Sequence, residues 1–272
     1  MPAPCPLFAD LSGSLASYRV GADSDSPPLV IFPGLARHSL PPSEAGLARA
    51  QKTYRPLSKV TGRSVLLIER PRGISRTIVM PELAAMHAAA IRSRFSEPVD
   101  LMGISTGGAI ALQLAADHPG LVRRLVIACA ASWLGEVGRR KLRAYGERVS
   151  RGRSGAAILA SVLGGPIFRW PLTPLLWFES RSERSIDPSD MLATIHAESG
   201  FDVTGRLGEI AAPTLIIGGE SDYAFPPELL RQTAAGIPGA KLILYPRRGH
   251  VTAMLDPRFG RDIGAFLSSP LT

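Results

Sequence analysis

A serine between two glycines stands where a strand pattern meets a helical pattern, and this junction restricts the possible folds more than any other part of the chain. The motif Gly103-Ile-Ser105-Thr-Gly107 follows the apolar segment 99–102 and opens the alanine-rich segment 106–118. Such a tight strand-to-helix turn holds the serine side chain above the sheet and leaves little space two residues away on either side. Glycine provides that space. The motif therefore predicts that Ser105 is a nucleophile at the end of a buried strand.

Short apolar segments and helical patterns alternate along most of the chain. The apolar segments are 29–32, 64–68, 99–102, 125–128, 214–217 and 241–245. The helical patterns are 43–60, 81–95, 106–118, 226–235 and 257–267. Short buried strands separated by helices are typical of a mostly parallel sheet covered by helices on both faces. We predict this α/β architecture, with residues 14–20 as an edge strand.

The strand pattern stops between residues 133 and 207. Helical stretches there are interrupted by glycine and proline, and the segment is too long for a loop and too apolar for a disordered region. We therefore predict a small helical cap above the sheet. The predicted division is a core in two parts, 1–132 and 208–272, with the cap insertion at 133–207.

A serine at its ordinary pKa is a weak nucleophile, so it needs a base that an acid orients. In a parallel sheet these partners come from loops at the carboxyl ends of later strands. His250 follows the last strand and a glycine, so we predict that it is the base. Asp222 follows the preceding strand and is the favoured acid, with Glu220 and Asp202 as alternatives. For His87, which lies in a helical pattern, we predict a surface position.

At these residues the chain resembles the α/β-hydrolase superfamily, from about residue 29 to residue 267. The resemblance is carried by Gly-Ile-Ser-Thr-Gly-Gly, by Pro-Thr-Leu-Ile-Ile-Gly-Gly-Glu-Ser-Asp and by the late Gly-His. It implies the α/β-hydrolase fold with an inserted cap. It also implies an oxyanion hole made by two backbone N–H groups, here those of Leu35 and Thr106. Members often have His-Gly where this chain has Pro33-Gly34, a departure that keeps the Leu35 donor.

Serine, aspartate and histidine in this chain order predict a serine hydrolase that cleaves a carboxylic ester or a related acyl compound through an acyl-enzyme. Thioesterases, lactonases, C–C hydrolases, amidases or peptidases, and acyltransferases use the same groups. A non-catalytic module that binds a ligand or a protein partner is a separate alternative. Candidate pocket residues are His38, Phe168, Trp170, Trp177 and Phe178. The four aromatic residues have a second interpretation, in which they anchor the cap to the body.

The net charge of +8 raises the question of a nucleic-acid partner. The basic residues concentrate at 139–153, where the solvated face of a helix explains them, and no nucleic-acid-binding motif accompanies them. We therefore predict no nucleic-acid partner. The two cysteines, Cys5 and Cys129, cannot supply a disulfide framework or a four-cysteine zinc site. We predict neither a cofactor nor a metal.

No apolar run is long enough for a membrane span, and the first residues lack the pattern of a secretory signal. We therefore predict no membrane span and a cytoplasmic location. The expected partner is a small-molecule acyl substrate, and the sequence leaves the oligomeric state open.

Overall fold

The computed structural model describes residues 8–11, 15–21, 26–36, 44–182 and 186–270. The strands in these ranges are β1 (Phe8–Leu11), β2 (Leu15–Val20), β3 (Leu29–Phe32), β4 (Val65–Ile68), β5 (Val99–Ile104), β6 (Val122–Ala128), β7 (Thr214–Gly219) and β8 (Lys241–Tyr245). The helices are α1 (Glu44–Thr61), α2 (Met80–Arg94), α3 (Thr106–Asp117), α4 (Glu136–Ser150), α5 (Ala156–Leu163), α6 (Gly165–Ser182), α7 (Ser189–Ser199), α8 (Pro227–Gly236), α9 (His250–Met254) and α10 (Phe259–Ser268). Two 3₁₀ turns cover Pro119–Leu121 and Thr204–Glu209.

The described strands form one eight-stranded sheet in the order β1-β2-β4-β3-β5-β6-β7-β8. β2 pairs antiparallel with both of its neighbours, β1 and β4. The remaining five pairs, from β4 through β3 to β8, are parallel. The predicted mostly parallel sheet is therefore confirmed. Because β5 to β8 run in one direction, their carboxyl ends all lie at the same edge.

The central strands are buried on both faces of the sheet. In β3, Val30 and Phe32 join a core cluster with residues of α2 and α3. Leu29 and Ile31 point to the opposite face and join a second cluster with residues of α1 and α10. Alternate residues of a strand point to opposite faces, so a strand covered on both sides has a continuous apolar sequence. This burial explains the short apolar segments from which the sheet was predicted.

Two details at the strands differ from the prediction. Residues 15–20 do form a strand, but β1 pairs along its outer side, so the prediction of an edge strand was wrong. β5 continues past residue 102, with Gly103 opposite Phe32 of β3 and Ile104 opposite Ala128 of β6. Gly103, at which the strand pattern was predicted to end, therefore belongs to the sheet. Its neighbours leave no space for a side chain at this position.

Between β6 and β7, the described part of the chain forms four helices, α4 to α7. The two ends of this helical insertion lie together. The Val203 N–H donates to the Ser132 carbonyl at 2.9 Å, and Trp133 and Asp202 form an isolated β-bridge. Helix α7 adds buried apolar side chains to the larger core cluster, so this part of the insertion is packed on the body. The three-part domain division stays a prediction.

None of the helices within the described ranges is long and apolar enough to cross a membrane.

Candidate active site

Ser105 occupies the turn between β5 and α3 with φ 52° and ψ −122°. A positive φ is unfavourable for a residue with a side chain and persists only where the surroundings enforce it. One restraint is the hydrogen bond from the Ser105 N–H to the Ala128 carbonyl of the adjacent strand β6, at 2.9 Å. The side chain remains partly accessible at the carboxyl edge of the sheet.

The two glycines of the motif are required by close packing around the turn. A Cβ atom on Gly103 would lie 2.5 Å from the Gly107 carbonyl oxygen. A Cβ atom on Gly107 would collide with the carbonyl group of Phe32, the last residue of β3. The structure confirms the predicted steric need for glycine at both positions.

His250 and Asp222 come from the loops after β8 and β7, and hydrogen bonds join these loops. The Ser221 N–H donates to the Arg248 carbonyl at 2.7 Å. His250 Nδ1 lies 2.7 Å from Asp222 Oδ2, and His250 Nε2 lies 3.0 Å from Ser105 Oγ. The structure thus brings Ser105, His250 and Asp222 into one hydrogen-bonded chain.

The chemistry of the three side chains decides which group donates and which accepts in each of these hydrogen bonds. A carboxylate only accepts hydrogen bonds, so Nδ1 of neutral His250 donates to Asp222 and Nε2 accepts from the Ser105 hydroxyl. Both His250 and Asp222 are buried. Burial by itself lowers the pKa of His250, but the charge and hydrogen bond of Asp222 and the charge of Glu198 together raise it above the ordinary value.

The Asp222 carboxylate is held by its own loop. Its Oδ1 accepts the N–H groups of Ala224 at 2.8 Å and Phe225 at 3.1 Å, which leaves Oδ2 directed at His250. The Phe225 ring stacks against the His250 ring, with 5.9 Å between the centroids. These contacts fix the orientation of the imidazole.

The loop after β3 lies beside the Ser105 turn. A Cβ atom on Gly34 would be 3.5 Å from the Cβ atom of Ser105, and Leu35 is the next residue. Thr106 is the first residue of α3, where backbone N–H groups have no carbonyl partner within the helix. The positive end of the helix dipole also lies at this point. An oxyanion hole at Leu35 and Thr106 stays a prediction.

A sequence model of the alpha/beta hydrolase fold family matches residues 80–257, well over half of the chain. The chain belongs to this family. RutD of Variovorax paradoxus strain S110, a proposed carbamate hydrolase, is 26% identical over 92% of this chain and 95% of its own length. RutD of Klebsiella pneumoniae subsp. pneumoniae, with the same proposed activity, is 32% identical over 68% of this chain and 70% of its own length.

The fold is also similar to that of a solved enol-lactonase from Burkholderia xenovorans LB400. The TM-score is 0.76 at 16% identity, and the alignment covers 96% of this chain and 100% of that chain. At this level of identity the likeness shows the fold alone.

This α/β hydrolase has a buried carboxylate beside the nucleophile turn that the sequence analysis missed. The Thr106 hydroxyl donates to Oε2 of Glu198, in α7, at 2.8 Å. Burial raises the pKa of Glu198 to about 7, although the Thr106 hydrogen bond and the charges of His250 and Arg70 act in the opposite direction. The available sequence signal was the spacing of Asp190, Thr194 and Glu198, polar residues four positions apart and so on one face of the helix.

Arg70 is a second buried charge near the site of this hydrolase. Its guanidinium donates to the Thr194 hydroxyl of α7 at 3.1 Å and to the Ala36 carbonyl in the loop after β3. Burial lowers its pKa, while the charges of nearby groups, Glu69 and Asp190 among them, act to raise it. Arg70 and Glu198 therefore place opposite charges close to the Ser105 turn.

The predicted surface position of His87 was wrong. Its side chain is fully buried in α2, with Nδ1 2.8 Å from the Leu83 carbonyl and its ring edge against Phe32. Burial lowers the pKa of His87 to about 4, so the ring is neutral at physiological pH. The alanine-rich sequence of α2 has few bulky residues and allows the helix to be covered on more than one face.

Three of the five predicted pocket side chains, those of Trp170, Trp177 and Phe178, lie in the described part of the hydrolase. His38 lies outside the described residues, and so does the side chain of Phe168. Trp170 and Phe178 are 71% and 72% exposed, and Trp177 is 44% exposed. Trp170 and Phe178 are therefore mainly exposed to solvent, and both interpretations of the aromatic residues, as a pocket lining and as an anchor, stay predictions. An apolar composition in α6 did not mean burial.

The alternative acids lie away from His250. Glu220 is exposed, and the Asp202 carboxylate instead accepts the Thr204 N–H at 2.9 Å. Asp222 alone of the three candidates contacts the histidine.

One group of possible metal-ligating side chains occurs within the described ranges, and it overlaps this hydrogen-bonded chain. It consists of Cys129, Asp222 and His250, whose ligand atoms lie within 4.8 Å of one another. Both ring nitrogens of His250 already have partners, Asp222 and Ser105. Burial raises the pKa of the Cys129 thiol, and the thiol donates to the His250 carbonyl at 3.3 Å. The prediction of no metal and no cofactor stays a prediction.

Proposed function

We propose that this α/β hydrolase is a serine hydrolase that cleaves a carboxylic ester or a related acyl compound. Ser105 is the nucleophile, His250 the general base and Asp222 the acid that orients it. The observation that carries the proposal is the continuous hydrogen-bonded chain between these residues, at 2.7 and 3.0 Å, beside the N-terminus of α3. A serine hydroxyl in such a chain can lose its proton as it attacks.

In the first half of the reaction, Ser105 Oγ attacks the carbonyl carbon and His250 Nε2 takes the hydroxyl proton. Asp222 stabilises the imidazolium that forms. The carbonyl oxygen becomes an oxyanion, which the N–H groups of Leu35 and Thr106 bind. The intermediate then collapses, the bond to the leaving group breaks, and the leaving group receives the proton from His250.

In the second half, His250 takes a proton from water, and the hydroxide attacks the acyl carbon bonded to Ser105. The oxyanion forms again at the same donors. Collapse of this intermediate breaks the bond to Ser105 Oγ, which regains its proton from His250, and releases the acid. The helical insertion from α4 to α7 selects the substrate in this proposal, as a cap above the carboxyl edge of the sheet.

A carbamate is a second candidate substrate class. It is favoured by the 26% identity with the proposed carbamate hydrolase RutD over nearly the whole of both chains. The carbamate carbonyl is bonded to nitrogen as well as oxygen, and attack by Ser105 with loss of the alcohol would give a carbamoyl-enzyme. The same three residues serve both substrate classes.

The test is hydrolysis of p-nitrophenyl esters, from acetyl to dodecanoyl, and of p-nitrophenyl N-methylcarbamate. Wild type is compared with Ser105→Ala and with Ser150→Ala, a control at an exposed serine at the end of α4. We expect ester turnover that falls by about 10³-fold or more in Ser105→Ala and is unchanged in the control. Faster turnover of the carbamate than of any ester would favour carbamates as the substrate class. An absence of turnover, with no labelling of Ser105 by a fluorophosphonate, would favour the binding module.

A further inference from the structure

Helix α7 faces the site with a polar stripe. Residues four positions apart lie on one face of a helix, and Asp190, Thr194 and Glu198 on this face each contact the core. The contacts are the Ile74 N–H to Asp190 Oδ1 at 3.0 Å, the Arg70 guanidinium to Thr194 Oγ1 at 3.1 Å, and the Thr106 hydroxyl to Glu198 Oε2 at 2.8 Å. The helical insertion is therefore joined to the core by directed hydrogen bonds as well as by apolar packing.

These contacts reach both sides of the proposed oxyanion hole. The backbone N–H of Thr106 is one proposed donor, and the Thr106 side chain is hydrogen-bonded to Glu198. The backbone N–H of Leu35 is the other proposed donor, and the carbonyl of the next residue, Ala36, accepts a hydrogen bond from Arg70. Arg70 also contacts α7 through Thr194. Helix α7 therefore contacts the structure beside each of the two proposed donors, directly at Thr106 and through Arg70 at Ala36.

The charges around Glu198 come from two neighbouring elements of the core. His250, at the start of α9, and Arg70, after β4, both favour the ionised carboxylate, as does the Thr106 hydroxyl. The Glu198 charge acts on His250 in return and favours its imidazolium form. Arg70 in turn faces the charges of Glu69 and Asp190. A buried carboxylate is costly unless such partners compensate it, so apolar residues would have served better if packing were its sole role.

This inference rests on the proposed function. We propose that Glu198 is a positioning residue for the reaction at Ser105: it holds Thr106, and thereby one oxyanion donor, and its negative charge adds to that of Asp222 in stabilising the His250 imidazolium. During turnover, the imidazolium and the oxyanion form only when Ser105 attacks. Glu198 therefore acts on kcat and has little effect on KM.

The contribution of Glu198 depends on pH. Its pKa of about 7 means that the charge is present above neutral pH and is lost as the pH falls below it. Glu198→Gln keeps an oxygen that can accept from Thr106 but never has the charge. At low pH the wild-type carboxyl is neutral too, so the two enzymes become alike.

The first test measures kcat and KM for one p-nitrophenyl ester from about pH 5.5 to about pH 8.5. Wild type is compared with Glu198→Gln and with Glu147→Gln, a control at an exposed carboxylate of α4. We expect the ratio of wild-type to Glu198→Gln kcat to be roughly tenfold at the highest pH and to approach one at the lowest, with KM within about twofold. The control should match wild type throughout. A ratio that is the same at every pH, in variants with equal Tm, overturns the proposal.

A second pair of variants tests the hydrogen bond separately from the charge. Thr106→Val removes the hydroxyl that reaches Glu198, whereas Thr106→Ser keeps it. We expect kcat to fall in Thr106→Val and to be largely restored in Thr106→Ser. Wild-type kcat in Thr106→Val would overturn the positioning role.

The pKa of His250, measured by NMR on the imidazole, separates this inference from the proposed function. We expect a lower pKa in Glu198→Gln than in wild type, whatever substrate the protein turns over. An unchanged pKa contradicts the inference about Glu198, whereas full activity in Ser105→Ala contradicts the proposed function.

Discussion

His250 Nε2 lies 3.0 Å from Ser105 Oγ, although the two residues are 145 positions apart in the chain. Ser105 follows β5 and His250 follows β8, with β6 and β7 between them in the sheet. Because these four strands are parallel, the loops after them meet at one edge. The contact therefore depends on the direction and order of the strands.

The acid can be identified by a matched pair of variants. Asp222→Asn should lower kcat by on the order of 10²- to 10⁴-fold, because an amide can donate a hydrogen bond to Nδ1 and would leave the proton on Nε2. Glu220→Gln, two residues away and exposed, should retain wild-type kcat. Steady-state kinetics on one ester measures both. A larger loss of kcat in Glu220→Gln than in Asp222→Asn would show that Glu220 is the acid.

Activity should fall on the acidic side of a midpoint above about pH 6.5, the ordinary pKa of histidine. The base must be neutral to accept the Ser105 proton, and its pKa is raised, so protonation removes activity at a higher pH than for an ordinary histidine. The measurement is kcat/KM against pH, which reports the free enzyme. A midpoint below the ordinary pKa, or a rate that does not change between about pH 5 and about pH 8, would contradict a His250 base with a raised pKa.

Gly107→Ala should unfold the nucleophile turn locally or destabilise the whole protein. The added methyl group would collide with the Phe32 carbonyl, which cannot move without disturbing β3. We expect a loss of about 3 kcal/mol in the free energy of unfolding, together with lost activity. Gly120→Ala is the control, because nothing lies within 4 Å of a Cβ atom there. Equal stability of the two variants in denaturant unfolding would refute the steric account.

Asp100 should support stability without serving the reaction. It is fully buried near the start of β5, at the opposite end from Ser105. It accepts two hydrogen bonds from Arg123, at 2.8 and 2.9 Å, and another from Arg63. Asp100→Asn removes the charge that these cations face, so we expect a loss of about 3 kcal/mol in the free energy of unfolding.

Glu97→Gln, at an exposed carboxylate nearby, is the control for Asp100→Asn. Denaturant unfolding measures the stability, and kcat per folded molecule should equal that of wild type in both variants. A selective loss of kcat in stable Asp100→Asn would show that this cluster does more than support the fold.

Much of the fold could be predicted from the sequence because burial on both faces makes each central strand apolar. Ser105 was predicted from its glycine-flanked motif. His250 and Asp222 were predicted as its partners because parallel strands bring their following loops to one edge. The short strand β1 was missed because its sequence, Phe-Ala-Asp-Leu, lacks the continuous apolar run by which β3 and β4, also four residues long, were predicted. Helix α9, which begins at His250, was missed because five residues are too few to show a helical period.

Other features depend on tertiary contacts that a linear pattern does not contain. The burial of His87 depends on how closely α2 approaches its neighbours. The contact of Glu198 with Thr106 depends on how α7 docks on the core. The exposure of Trp170 and Phe178 depends on which face of α6 meets α5. In each case residue type suggested one environment, and packing between elements decided another.

The most direct test of the central claim is covalent labelling with a fluorophosphonate, followed by mass spectrometry of the digested protein. The account predicts one adduct per chain, located on Ser105, and labelling that is much slower in His250→Gln because the nucleophile is no longer activated. An adduct on a different residue, or ester turnover in an enzyme whose Ser105 remains unlabelled, would contradict the account.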